Sequence, residues 1–322
     1  MFFLESPSRD PYFNLALEEH LMGSDGEFLM LWRNAPSVIV GKFQNTPEEV
    51  DLRYAEERRI PVARRLTGGG AVYHDEGNIN YTVILEEDGR ETDFQSFARP
   101  VIRALESFGV RAEFNGRNDL TAAGKKISGC AQCVRNGRLL HHGCILLDTD
   151  LDILSRVLKG NKEKYASKGV DSVISRVTTV NACAPQRVDM EKFRQVLARE
   201  ILSGQAAEPY ALSEEKLRSV RELRERKYAS WEWNFGFGAN YGFANERRFP
   251  WGTVSVKMDV QAGRIRAVRL FGDFFGGDVE TLEARLTGLA LDGHLKDILS
   301  GWDLSPYIRG ARGEDLAELL LY

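Results

Sequence analysis

Apolar positions recur at helical spacing through residues 12–22, YFNLALEEHLM, and predict an amphipathic helix. FLMLWR (28–33) and SVIVGKF (37–43) predict two strands on either side of the turn Asn34-Ala35-Pro36. EEVDLRYAEERRI (48–60) predicts a helix and PVARRL (61–66) a strand; AVYH and NINYTVIL, within 71–85, are again β-rich. PVIRALESFGV (100–110) predicts a helix. LDILSRVL (151–158), MEKFRQVLAREIL (190–202) and SEEKLRSVRELRERKYA (213–229) predict three more, the last so charged that it should lie on the surface. After Pro250 the pattern restarts, with TVSVKMDV (253–260) and RIRAVRLF (264–271) alternating around Gln261-Ala262-Gly263 and helices near 278–290, 292–300 and 313–321. This divides the chain into domains 1–245 and 246–322, joined near 246–252, the second a small α+β unit.

Composition narrows the function more than the fold. A chain of 322 residues accommodates two domains and a substantial core. A formal net charge of −4 disfavours a general nucleic-acid role. No apolar run approaches the roughly 18–20 residues of a membrane helix, and Glu5 and Pro7 interrupt the short apolar N-terminus, which lacks a basic leader. Four cysteines are too few for a disulfide scaffold, so a reducing cytoplasm is the expected home.

The candidate chemistry starts at RRLTGGGAVYHD (64–75). Three consecutive glycines are costly to order, because glycine loses more backbone freedom on folding than any other residue. A tight turn between strands is one reading of them. The other is a loop whose bare backbone lets a ligand approach, its N–H groups forming an anion site and the two arginines adding forked donors. Neither GxGxxG nor GxxxxGK[ST] is present, so the loop is not of the Rossmann or Walker kind. His74 either lines that ligand or is a structural histidine.

A second candidate lies in NDLTAAGKKISGCAQCVRNGRLLHHGCILLD (118–148). Asn136-Gly137 between β-rich runs signals a two-residue hairpin that sets Arg135 opposite Arg138, Gln132 opposite His141 and Cys130 opposite Gly143. A weaker turn at Ala123-Gly124 pairs Thr121 with Lys126 and Asp119 with Ser128. Because side chains alternate, Asp119, Lys126, Ser128, Gln132 and His141 should share one face, either solvated or a site where a lysine beside a carboxylate handles a phosphoanhydride. Cys130 and Cys133 are three apart on a strand and point to opposite faces, which argues against zinc or redox chemistry; Cys133 and Cys144 are four residues out of register. Adjacent His141 and His142 diverge in the same way.

Together these elements resemble the lipoate–protein ligase family of the bacterial A type. RRLTGGGAVYHD resembles that family's RRxSGGGAVFHD element, and NDL (118–120), GKKISG (124–129), HHG (141–143) and KGVDSVISRV (168–177) are similar to its later segments in order. GDFF (272–275) and the helices after it look like the family's small accessory domain. The resemblance implies a biotin/lipoate ligase α/β (α+β) fold with a mostly antiparallel sheet, and a monomer. It implies Mg²⁺-dependent activation of lipoate, with octanoate as a second acid, by ATP to lipoyl-AMP. The lipoyl group then passes to a lysine of an acyl-carrier domain such as glycine-cleavage H protein or a 2-oxoacid dehydrogenase E2 subunit. By the same resemblance, Arg65, Gly68, Gly69, Gly70, Ala71, Val72 and Tyr73 bind the nucleotide and adenylate, and Lys126 is catalytic, touching carboxylate and α-phosphate. Gly69, Gly70, His74 and His142 line the lipoate pocket, and Asn118 and Asp119 place Mg²⁺ or ribose. Relatives of the fold include octanoyl- and lipoyl-transferases that use a cysteine thioester, and a non-catalytic lipoate binder or carrier chaperone is a third class, against which Lys126 and Arg65 argue. The basic residues Lys257, Arg264, Arg266 and Arg269 form either a solvated face or a dock for an acidic carrier.

Overall fold

A computed structural model describes residues 1–87, 93–116, 118–158, 176–203, 207–235, 243–261, 263–291 and 294–321. Its strands are β1 (Phe2–Glu5), β2 (Phe28–Trp32), β3 (Ser37–Val40), β4 (Val62–Arg64), β5 (Val72–His74), β6 (Asn78–Glu86), β7 (Glu113–Asn115), β8 (Asp119–Ala122), β9 (Lys125–Arg135), β10 (Arg138–Leu146), β11 (Glu208–Pro209), β12 (Phe243–Phe249), β13 (Gly252–Gln261) and β14 (Arg264–Gly272). The large sheet runs β11-β1-β2-β6-β10-β9-β8-β7, and two three-stranded sheets run β4-β3-β5 and β12-β13-β14. β1 pairs in parallel with β2 and β11, whereas every other pairing of the large sheet is antiparallel, as expected. Almost all of 168–177 lies outside the described residues.

The large sheet is covered on both faces. Helices Phe94–Glu106 and Met190–Leu202 put Val101, Leu105, Phe193 and Leu197 against Ile79, Tyr81, Leu120 and Ile127 on one face. On the other, helix Pro11–Met22 and the β4-β3-β5 sheet pack Leu15, Leu17, Ile39 and Ala63 against Met30, Trp32, Ile84 and Leu140. Because it lies between layers, Pro11–Met22 is buried around most of its circumference rather than amphipathic. β2 and β3 flank the turn at 34–36 but belong to different sheets and do not pair with each other.

Other departures have local causes. The 48–60 helix splits into Thr46–Glu49 and Leu52–Glu57, because Val50 is extended and bridges Leu158. The next helix begins at Phe94, where Asp93 caps Ser96, so Pro100 lies inside it instead of opening it. The 213–229 segment divides into helix Glu214–Leu223 and a π-helical turn Arg224–Tyr228. It is not merely a surface element: Val220 and Tyr228 are fully buried, and the Tyr228 hydroxyl donates to Glu19 at 2.8 Å. The small sheet begins at β12, so 246–252 lies within the β12–β13 hairpin rather than in a linker.

The expected meander forms with one change that matters for chemistry. β9 and β10 pair as Arg135–Arg138, Gln132–His141 and Cys130–Gly143, with Asn136 and Gly137 at φ 53° and 71°. β8 and β9 begin in the expected register, Thr121 opposite Lys126, but then shift, so that Leu120 faces Ser128 and Asp119 faces Gly129. The residue left over is Ile127, fully buried beside Leu120 and Ala122. A bulge there keeps all three apolar side chains in one core and reverses the alternation beyond it. Asp119 and Lys126 consequently leave the face of Gln132 and His141, whose ring stacks on Phe97 at 4.3 Å.

Candidate active site

The bulge turns Lys126 toward a cavity holding about 580 Å³ of empty space, open mouth included. Its floor is one cross-strand row: Trp32 of β2 faces Asn80 of β6, Asn80 faces Cys144 of β10, Cys144 faces Gly129 of β9, and Gly129 faces Asp119 of β8. Strands lie about 4.8 Å apart, so Trp32 and Gly129 are separated by roughly 14 Å. The Asp119 end is the polar one: Lys126 Nζ lies 2.7 Å from Asp119 Oδ1, with about a third of each side chain exposed. Trp32, Leu15, Ile39 and Val72 make the far end apolar. A Cβ at Gly129 would stand 2.7 Å from Lys126 Nζ, so this glycine gives the lysine its room.

The glycine loop forms the opposite wall, and its residues do different jobs. Gly68 packs against the small domain, where a Cβ would meet the Phe274 carbonyl at 2.3 Å. Gly69 has φ +88° and donates its N–H to that carbonyl at 3.2 Å. Gly70 has open space where a Cβ would be, and with Gly69, Ala71 and Val72 it lines the cavity. Tyr73 contributes no ring to the cavity; it is buried with Val38, Val62 and Leu154.

The two arginines are not free anion donors. Arg64 is fully buried, its guanidinium donating to the carbonyls of Gly41, Lys42, Gln44, Trp233 and Asn234 and to Thr46 Oγ1. Arg65 lines the cavity, yet donates to the carbonyls of Ile39, Gly68 and Gly70 and to Thr67 Oγ1. It holds the loop's shape from behind, and burial brings its pKa down to about 10.

Thr67 ends a buried polar chain that sequence reasoning missed. Thr67 Oγ1 lies 2.8 Å from His142 Nε2, His142 Nδ1 lies 2.8 Å from Glu18 Oε1, and Thr82 Oγ1 donates to the same oxygen at 2.5 Å. His142 therefore reaches the cavity and also ties helix Pro11–Met22 to the glycine loop. His74 lines the cavity too, its ring edge-on to Trp32 and Nδ1 3.1 Å from Asn34 Nδ2. Burial, then the nearby Arg65 and His142, pushes its pKa down to about 3, so it is neutral. Asn118 lines the cavity and donates Nδ2 to the Cys130 carbonyl at 2.6 Å.

All four cysteines are free thiols. Cys130 and Cys144 line the cavity, but burial raises the thiols of Cys130, Cys133 and Cys144 to about 12, opposite to what a nucleophilic thiolate needs. The basic residues of the small domain have intramolecular partners: Lys257 pairs with Glu48 across the domain boundary, Arg266 with Asp259, and Arg269 with Glu283, while Arg264 donates to the Gly288 carbonyl. That domain reaches the cavity wall through Phe274, stacked on Phe43 at 4.9 Å, and through Phe275, packed with Phe94, Cys130 and Ala131.

Comparison with known proteins agrees with this architecture along nearly the whole chain. Residues 10–202 match the family described as the lipoyl protein ligase A/B catalytic domain, and residues 239–320 match the bacterial lipoate protein ligase C-terminus. The chain is 39% identical to lipoate–protein ligase 1 of Staphylococcus aureus, covering 97% of each chain. It is 38% identical to lipoate-protein ligase LplJ of Bacillus subtilis, covering 99% of this chain and all of that one. Among solved structures, P. falciparum LipL1 in complex with lipoate superposes with a TM-score of 0.82 over 99% of both chains, at 23% identity, a likeness of fold. A bipartite lipoate protein ligase from Thermoplasma acidophilum, solved in work that includes its E2 lipoyl domain, gives 0.65 at 33% identity over 75% of this chain and 98% of that one. A lipoate-protein ligase A bound with ATP gives 0.62 at 33% identity over 73% and 97%. The chain belongs to the lipoate–protein ligase family and carries both the catalytic domain and the C-terminal domain of its bacterial members.

Proposed function

We propose that this chain activates lipoate with ATP and passes the lipoyl group to a lysine of a carrier domain. The observation that carries this reading is the cavity, whose floor leads from an apolar end at Trp32 to the Lys126–Asp119 pair beneath a bare glycine loop. An extended acyl chain lies along the row with its carboxylate at Lys126. The carboxylate oxygen attacks the α-phosphorus of ATP, pyrophosphate leaves, and lipoyl-AMP forms. The carrier amine then attacks the acyl carbonyl, and AMP leaves. Lys126 serves both steps by offsetting the negative charge of carboxylate and α-phosphate, which would otherwise repel each other. The backbone of Gly69, Gly70, Ala71 and Val72 approaches the adenylate, and Arg65 adds positive potential behind it while fixing the loop.

Asp119 and Asn118 fit a Mg²⁺ that arrives with the nucleotide. Mg²⁺ prefers one or two carboxylates, phosphate oxygens and water to an all-protein cage, and among the described residues no group of three or more His, Cys, Asp or Glu could form such a cage. Bound there, the ion would neutralise phosphate charge.

The carrier is a lipoyl domain, such as that of a 2-oxoacid dehydrogenase E2 subunit or glycine-cleavage H protein; the Thermoplasma ligase with its E2 lipoyl domain supports this choice. A cytoplasmic setting supplies the ATP. The deciding measurement is lipoate-dependent exchange of labelled pyrophosphate into ATP, which this reading requires. Its absence, with acyl transfer proceeding without ATP, would overturn it.

A further inference from the structure

The apolar end of the cavity contains two buried polar side chains with atoms that find no hydrogen-bond partner among the described residues. Asn80, next to Trp32 in the floor row, is 1% exposed, and among the described residues neither its Oδ1 nor its Nδ2 has a hydrogen-bond partner. His74, 3% exposed, likewise leaves Nε2 unpartnered. The surroundings fix the proton on that nitrogen. Asn14 Nδ2 donates to Asn34 Oδ1 at 2.8 Å, so it is the Asn34 amide nitrogen that faces His74 Nδ1. Nδ1 is then the acceptor, and neutral His74 carries its proton on Nε2. A buried donor and a buried amide left unpaired are unfavourable. Two of them beside Trp32 and Ile39, in a cavity built for an acyl chain, imply a ligand with a polarisable acceptor at that end.

On the orientation given above, the carboxylate lies near Gly129 and Asn80 lies two strand spacings away, roughly 10 Å. The ring of lipoate falls in this region, and its only heteroatoms are the two dithiolane sulfurs. We infer that Asn80 and His74 form a sulfur-reading subsite that makes the enzyme prefer lipoate to an acid of the same shape without sulfur. The inference rests on the proposed function. An all-carbon tail would displace water from Asn80 and His74 and return nothing, and a polar site rejects an analogue lacking its partner more strongly than an apolar site rejects a small change of shape.

The test uses the full chain and three acids: lipoate, 5-cyclopentylpentanoate, whose ring has carbon in place of sulfur, and octanoate. Each is assayed by pyrophosphate exchange, and binding is measured by calorimetry. The wild-type kcat/KM for lipoate should exceed that for the carbocycle by about tenfold, the equivalent of one buried hydrogen bond. Asn80→Leu and His74→Phe should each shrink that ratio, whatever happens to overall activity. A wild-type enzyme that treats lipoate and the carbocycle alike would overturn the inference without touching the ligase reading, and would mean that an ordered water satisfies Asn80 and His74. A ratio unchanged in both variants would overturn it too. If no acid supports exchange, the ligase reading fails and takes this inference with it.

Discussion

Lys126 and Arg64 are both cations near one cavity, and their surroundings predict opposite phenotypes. Lys126 is partly exposed and paired with an equally exposed carboxylate, so its ion pair contributes little to stability, about 0–1 kcal/mol. Lys126→Ala should leave the unfolding midpoint almost unchanged and lower adenylation by roughly 10²–10³, the loss typical of a preorganised charge-stabilising donor. Near-normal pyrophosphate exchange in this variant would remove Lys126 from the mechanism. Arg64 is fully buried and satisfies five carbonyls. Arg64→Ala strands those acceptors, each costing about 1–3 kcal/mol when left unmade. Urea unfolding should therefore show a loss of at least about 3 kcal/mol. The sequence shows two adjacent arginines; which of them faces the cavity follows from strand alternation at β4 and from Asn234, 170 residues away.

At the scale of elements, the glycine loop predicts a graded series. Gly70→Ala points a methyl into open space at an ordinary φ, so stability should stay within about 0.5 kcal/mol while KM for ATP or lipoate rises. Gly69→Ala forces an L-residue to φ +88° and should destabilise by about 1–2 kcal/mol. Gly68→Ala meets the Phe274 carbonyl and should separate the domains locally, raising protease sensitivity near 272–277. Equal behaviour of all three variants would refute this division of labour. The β9–β10 hairpin was legible because Asn-Gly fits a turn with both φ values positive. The β8–β9 bulge was not, because alternation alone cannot tell that Ile127, Leu120 and Ala122 must enter the same core.

For the whole molecule, two outcomes follow. A chain ending at residue 235 removes Phe274 and Phe275 from the glycine loop and the cavity wall. It should lose adenylation efficiency as well as carrier modification, and high salt should change this little, since Lys257, Arg266 and Arg269 of the small domain are already paired with carboxylates. Full exchange activity in the truncated chain would show that the small domain does not complete the cavity. The second outcome concerns acid. His74 and His141 ionise near 6.5 when unfolded and are held near 3 in the folded protein, chiefly by burial. Their contribution to stability is complete above the unfolded value. Between the two values the unfolded chain binds protons that the folded chain refuses, so stability falls as pH drops, by about 1.4 kcal/mol per pH unit for each histidine. Urea titrations between pH 7 and pH 5 should show this slope, and His141→Phe should flatten it; an unchanged slope would assign the acid sensitivity elsewhere.

Contiguous residues carry the local chemistry: the order of most elements, the Asn136-Gly137 register, the glycine loop, Lys126 as the candidate cation, and the family, through motifs short enough to be read directly. Those features depend on residues a few positions apart, where backbone geometry leaves few choices. Tertiary structure decided which side chains meet. Trp32, Asn80, Cys144 and Gly129 become one cavity floor only because β2, β6, β10 and β9 pair in a register that no single hairpin specifies. Glu18 reaches Thr67 only through His142, 124 residues from it in sequence. Register between distant strands is chosen by the combined burial of both sheet faces, a sum over the whole core to which each residue contributes a small part.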